Sequence, residues 1–218
     1  MNISVSPQLK ELWPAAALGV LHYQAEVTLS PPQLLQEFER TVSDLARKYS
    51  LDTIADNPHI AATRKAYKAL GKHPLEYRNA AEAMLRRVVK SSGLYHINNI
   101  VEVNNLISIS SGYTIGSYDS AGLKGDVLLQ RAEEGAHYDG IGKSSVNIGC
   151  LPVLYDEEGP FGNPTSDSRR AMIQPGPREI YSILYSFDGP EGLHPWLEQY
   201  KETLQKYCGV GEVEINLY

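Results

Sequence analysis

The sequence predicts an α+β fold in a single domain covering residues 1–218. Three observations predict it. Apolar residues recur at helical spacing through much of the first half of the chain. After residue 125 the pattern changes to short extended runs punctuated by Gly and Pro. No internal repeat, low-complexity tract or long linker separates the two parts. Helices mostly first and strands mostly later argue against regular βαβ winding. At 218 residues and 42% hydrophobic, the chain can bury a core that needs no disulfide or metal staple.

The elements follow in order. Residues 15–29 read as a partly alternating strand, and with the next helix they make an N-terminal unit over residues 1–55. Ser30 is placed to cap a helix begun by Pro31 and Pro32. Leu34, Leu35, Phe38, Val42, Leu45 and Tyr49 mark its buried side. Asn57-Pro58 opens a second helix that Gly71 ends. Pro74 precedes a third, with Tyr77, Ala81, Met84, Leu85 and Val88 inward, stopped by Gly93. Over residues 98–110 the Ile and Val content favours strand, but the spacing favours helix. At 100° per residue, Ile100, Val103 and Ile107 share one face, and Asn98, Glu102 and Asn105 the other. Gly112 is a helix stop. The runs DVLLQRA, CLPVLY, RAMI and EIYSILYSF read as strands. A last helix from about Pro195 to Cys208 precedes a strand with Val213, Ile215 and Leu217 alternating.

Composition narrows the function. The formal net charge of −6 disfavours a general nucleic-acid binder and DNA as a partner, while permitting a local basic patch. Cys150 and Cys208 form no C-x-x-C pair, so neither zinc nor a disulfide framework is signalled. Two thiols and the absence of a signal-peptide pattern suit a cytoplasmic protein. No apolar stretch approaches the roughly 20 residues of a membrane helix. There is no G-x-S-x-G elbow; GKSS at 142–145 copies part of a phosphate loop, but His137 stands where a Gly is required. Glu133, Glu134, His137 and Asp139 could be imagined as a metal site; hydrated turn charge is the simpler reading. No metal and no cofactor is expected.

The stretch INNIVEVNNLISISSGYTIGSYD, residues 97–119, resembles a segment of the bacterial phenylalanyl-tRNA synthetase beta subunit. That family runs roughly I-N-N-V-V-D-V-T-N-Y and then G-Q-P-L-H-A-F-D. Ile97, Asn98, Asn99, Val101, Val103, Asn105, Gly112 and Asp119 are kept, and Gly116 stands in place of the family's histidine. The similarity continues through Gly125, Arg131, Ala132 and Gly135, and more weakly over residues 60–190. In the synthetase this segment belongs to the editing domain, which removes tyrosine wrongly joined to the tRNA for phenylalanine. The resemblance therefore implies a freestanding editing-like domain, with a helix over the Asn-rich stretch and an amino-acid-selecting pocket.

For that pocket the resemblance and the helical face together nominate Asn98, Glu102, Asn105, Tyr113, Gly116, Tyr118, Asp119 and Asp167 as substrate-binding positions. Amides carry donors and acceptors and can read a ribose, a carbonyl or an amino-acid backbone. The plain alternatives are helix caps, a solvated polar face and, for Asp119, a turn-capping carboxylate. Asp167 lies in LYDEEGPFGNPTSDSRRAMI, where the synthetases have a glycine-rich loop at the pocket. The family's tyrosine-reading glutamate has no counterpart in EIYSILYSF, so tyrosine specificity does not transfer. No residue is assigned a catalytic role.

Residues 64–88 hold a basic strip. Arg64, Lys68, Lys72, Arg78, Arg86 and Arg87, interleaved with Tyr67 and Tyr77, could grip phosphates and stack bases. Two amphipathic helices with solvated outer faces would give the same pattern. Two functions follow. One is an aminoacyl-tRNA deacylase acting in trans on the acceptor end of a tRNA. The other is a non-catalytic module for an amino acid, a nucleoside or RNA, or an accessory part of a phenylalanine-tRNA ligase complex.

Overall fold

The structure is a computed structural model describing residues 1–218. Two four-stranded sheets face each other, with helices packed on the outer side of one. β1 (Ile3–Val5), β4 (Val127–Arg131), β7 (Pro152–Asp156) and β8 (Gly159–Gly162) form the first sheet in that order. β10 (Val213–Leu217), β2 (Ala17–Val27), β9 (Gly176–Ser186) and β3 (Thr114–Asp119) form the second. β5 (His137–Tyr138) and β6 (Val146–Asn147) make a separate hairpin. β1 runs parallel to β4; the other pairs are antiparallel.

The helices are α1 (Pro7–Leu12), α2 (Pro32–Lys48), α3 (Pro58–Ala69), α4 (Ala80–Val89), α5 (Asn99–Ser111) and α6 (Leu193–Cys208). No helix is long and apolar enough to cross a membrane. The two faces of the second sheet define two cores. Leu21, Ile115, Ile180 and Leu184 pack with α2, α5 and α6 in a cluster of 28 buried residues. Leu18, Val20, Tyr118, Ile183 and Tyr185 pack with Val127, Leu129, Leu154 and Phe161 of the first sheet in a cluster of 16. The period-two alternation of β3 and β9 sends neighbouring residues into different cores.

Several expected boundaries shift. Residues 99–111 are helical, as the spacing predicted, and Gly112 ends the helix at φ +90°. The helix opened by Asn57-Pro58 starts where predicted, and Asn57 caps it through Oδ1. The helix expected after Pro74 begins only at Ala80, because Asn79 provides the cap and residues 74–79 turn. Ser30 does not cap α2; its hydroxyl donates instead to Glu102. The RAMI run is not a strand: Arg169–Ala171 is a 3-10 turn capped by Ser168.

Candidate functional site

β3 brings the resemblance residues into the space between the sheets. Thr114, Gly116 and Tyr118 share one face of it, opposite Tyr185, Ile183 and Tyr181 of β9. Gly116 has no side chain, and the ring of Tyr118 fills the space it leaves. A methyl group built on Gly116 or on Gly162 of β8 would collide with the Tyr118 hydroxyl. The ring also meets Phe161 edge-on, with centroids 5.0 Å apart. Thus the space over Gly116, the residue the resemblance aligns with the family's histidine, is occupied by a tyrosine from two residues further along the strand.

Tyr118 is the hub of a polar network. Its hydroxyl donates to Asp167 Oδ1 at 2.8 Å and lies 2.7 Å from the Tyr185 hydroxyl. The loop after β8 holds Asp167 in place. Asn163 Oδ1 accepts from Thr165 N (2.7 Å) and Ser166 N (3.1 Å), and Asn163 N donates to Asp167 Oδ1 at 3.3 Å. The Tyr138 hydroxyl donates to the Ser166 carbonyl, and Tyr67 meets Thr165 Oγ1 at 2.8 Å. Asp167 keeps some exposure as a residue, but its carboxyl is enclosed among these aromatics. Burial pushes that carboxyl up to about 7, against the opposing pull of the Tyr118 hydroxyl and the Asn163 amide. Burial, and then the nearby Asp167, hold the Tyr118 and Tyr185 hydroxyls well above their ordinary range.

The other nominated positions have local duties. Asn98 Oδ1 accepts from Val101 N at 2.9 Å and caps α5. Glu102 is fully buried, accepting from Ser30 Oγ at 3.1 Å and lying 2.9 Å from His96 Nδ1. Asn105 is half-buried, with one long contact of 3.4 Å from Asn104 Nδ2. Asn98, Glu102 and Asn105 therefore do not converge on one cleft: the first two are committed to the start of α5. Tyr113 is buried and stacks on His59 with ring centroids 3.7 Å apart; its hydroxyl makes no hydrogen bond. Asp119 Oδ1 accepts from Ala121 N at 3.0 Å, the turn-capping role, and Oδ2 lies 3.3 Å from Arg178 Nε. Of the eight positions, Gly116, Tyr118 and Asp167 are brought together.

The basic strip turns largely inward. Lys72 is buried; its Nζ donates to the Gly149 carbonyl at 2.6 Å and to Asn147 Oδ1 at 3.2 Å, over the Tyr77 ring. Burial lowers its pKa. Arg86 reaches the Leu51 carbonyl, and Arg87 the Gly93 and Ser92 carbonyls. Arg64 and Arg78 flank the buried Glu82 at 3.5 and 3.6 Å. Lys68 remains exposed. A continuous phosphate-gripping strip is therefore not what these six residues form. Most of their cations face carbonyls and one carboxylate.

Sequence reasoning missed Asn163, Tyr185 and Asn104. Asn163 had a signal, since Asn before Pro in a Gly-rich loop marks an organised turn. Asn104 is the buried amide of the Asn104–Asn105 pair. Its Oδ1 accepts from Ser117 Oγ at 3.1 Å, and its Nδ2 donates to the Ile115 carbonyl at 3.3 Å. No group of three or more His, Cys, Asp or Glu side chains is arranged to hold a metal ion.

Fold and site define an α+β domain with a polar network between two sheets, centred on Tyr118. The B3/4 domain model matches residues 62–189, and the chain belongs to the B3/4 domain family. The resemblance to the synthetase beta subunit over residues 97–142 falls inside that match. Among solved structures, an N-terminal fragment of the phenylalanyl-tRNA synthetase beta subunit from Pyrococcus horikoshii is similar at 10% identity and a TM-score of 0.49. The similarity covers 97% of this chain and 50% of that one. This chain thus spans about half the length of that fragment. No curated protein matches the sequence.

Proposed function

We propose that this member of the B3/4 family is a binding domain for a small amino-acid-like ligand, without hydrolysis at the family's histidine position. One observation carries the reading: the Tyr118 ring occupies the space above Gly116 and Gly162. A hydrolytic sieve needs room for the group it removes and a held water beside it. Here that room is filled by a buried phenol bonded to Asp167 and Tyr185. The inward-turned cations favour a small ligand over a long RNA grip.

The test is a paired screen. Thermal shift and calorimetry with free amino acids should show selective stabilisation, while release of amino acids from a panel of charged tRNAs should stay at the background rate. No stabilisation by any amino acid would overturn the reading.

A second reading is favoured by Asp167. A buried carboxyl titrating near neutrality, in a site related to an editing pocket, has the character of a proton-transfer group. On that reading the chain is a trans-editing deacylase acting at the acceptor end of a tRNA, and Tyr118 moves aside on binding. Deacylation that follows the Asp167 titration and disappears in Asp167→Asn would establish it.

A further inference from the structure

Beside the tyrosine network, buried polar atoms without hydrogen-bond partners gather at one place. Glu82, on the first turn of α4, is 1% exposed, and Asn79, which caps that helix, is 2% exposed. Arg78 Nε lies 3.6 Å from Glu82 Oε1, and Arg64 Nε of α3 lies 3.5 Å from Glu82 Oε2. These ion-pair distances are too long for hydrogen bonds. Arg64 Nε, Arg78 Nε, Asn79 Nδ2 and Glu82 Oε2 are all buried with no hydrogen-bond partner. They account for four of the six such side-chain atoms in the molecule.

Buried polar groups are ordinarily paired, so four orphan atoms, one of them on the Glu82 carboxylate, call for a physical account. Two guanidiniums and one carboxylate leave one positive charge in excess. The cluster sits at the N-terminus of α4, where the helix dipole favours an anion. The loop that carries Asp167 borders it: Ala80 N donates to the Pro164 carbonyl at 2.8 Å. The arginine side chains are 25% and 37% exposed, whereas Glu82 and Asn79 are buried. The orphan groups comprise three nitrogen sites that donate and one oxygen that accepts.

We propose that Arg64, Arg78, Asn79 and Glu82 form a binding site for a small oxyanion that carries its own N–H or O–H donor. The oxyanion accepts from the guanidinium and carboxamide groups, and the ligand's donor turns to Glu82 Oε2. An α-amino acid, with carboxylate and ammonium on one carbon, supplies both; so does monoprotonated phosphate. Acetate supplies only the first. The long arginine stems let the guanidiniums part to admit the ligand. This inference rests on the reading of the domain as a small-ligand binder and adds the place and the chemistry.

The experiment uses the full chain with arginine Nε–H signals followed by NMR, alongside calorimetry with glycine, inorganic phosphate and acetate. Glycine or phosphate should shift the Arg64 and Arg78 signals and bind about tenfold or more tighter than acetate, the strength of one charge-assisted hydrogen bond. Arg64→Gln and Arg78→Gln should each weaken binding by about tenfold or more. Glu82→Gln should reduce the preference over acetate; if that variant does not fold, the wild-type arginine signals carry the test. Silence of both arginine signals toward glycine and phosphate at concentrations on the order of 10 mM would overturn the proposal. So would binding by both arginine variants as tight as that of the wild type. Glycine binding with unmoved arginine signals would sink this site and leave the small-ligand reading intact. Phosphate binding here without stabilisation by any amino acid would do the reverse.

Discussion

The second sheet carries a polar network on each face, and the two differ in completeness. On the helix-covered face, Ser117 Oγ lies 2.7 Å from Ser182 Oγ, which lies 2.9 Å from the Tyr23 hydroxyl and 3.0 Å from that of Tyr200. Asn104 closes the group through Ser117. Every side chain in it finds a partner. On the face toward the first sheet, Tyr118 and Tyr185 gather around a carboxyl that titrates near neutrality, with the orphan cluster at Glu82 close by. Complete networks lock a core and ask nothing of a ligand. Incomplete or titrating ones hold free energy that binding can release. On the proposed function, the complete face is structural and the incomplete face takes the ligand.

Removing Tyr118 is the strongest way to break that comparison. Tyr118→Ala should cost about 3–5 kcal/mol, the usual loss on deleting a buried aromatic, read by denaturant unfolding. It should also open a cavity over Gly116 and Gly162. A loss below about 1 kcal/mol would mean that the ring does not plug the site.

Asp167→Asn tests whether the second face is poised by charge. The folded-state pKa of about 7 lies above the ordinary carboxylate value. The folded protein therefore binds more protons than the unfolded chain between about pH 4 and 7, and its stability falls as pH rises through that window. Asn keeps the acceptor and cannot ionise. The variant should match wild type near pH 4 and exceed it by about 2–4 kcal/mol near pH 8, since each tenfold change in proton affinity corresponds to about 1.4 kcal/mol. Parallel pH–stability curves would remove the special status of Asp167.

Ser182→Ala probes the complete face. It strips a partner from Ser117, Tyr23 and Tyr200 together. The expected cost is about 1–3 kcal/mol, with no change in ligand binding. Altered ligand binding would put function on the wrong face.

Much of the fold was legible in the sequence because local physics set it. Asn57 before Pro58, the apolar period of α5 and the stop at Gly112 all act within a few residues. The candidate site was legible only where the resemblance reached: Tyr118, over Gly116, meets Asp167 across 49 residues of sequence. What stayed hidden depends on distant partners. Nothing in the strip at 64–88 shows that Arg64 and Arg78 bend toward a buried Glu82, although Arg78 and Glu82 at i,i+4 were a clue. β1, three residues pairing in parallel with β4, is too short to announce itself. The Asn104–Asn105 pair could not be resolved by pattern, since α5 is buried around most of its circumference and offers no clean polar face.

That pair gives the smallest expected effect and a sharp one. Asn104 bonds to Ser117 and to the Ile115 carbonyl inside the complete network. Asn105, matched by the resemblance to the family's pocket asparagine, has only the 3.4 Å contact from its neighbour and is half-buried. Asn105→Ala should therefore change stability by about 0.5 kcal/mol or less, whereas Asn104→Ala should cost about 1–3 kcal/mol by orphaning its partners. Side-by-side denaturant midpoints for the two variants decide it. Were Asn105→Ala the costlier change, the amide that matters would be the one the resemblance chose, and the helix-covered face would have to be reconsidered as the ligand side.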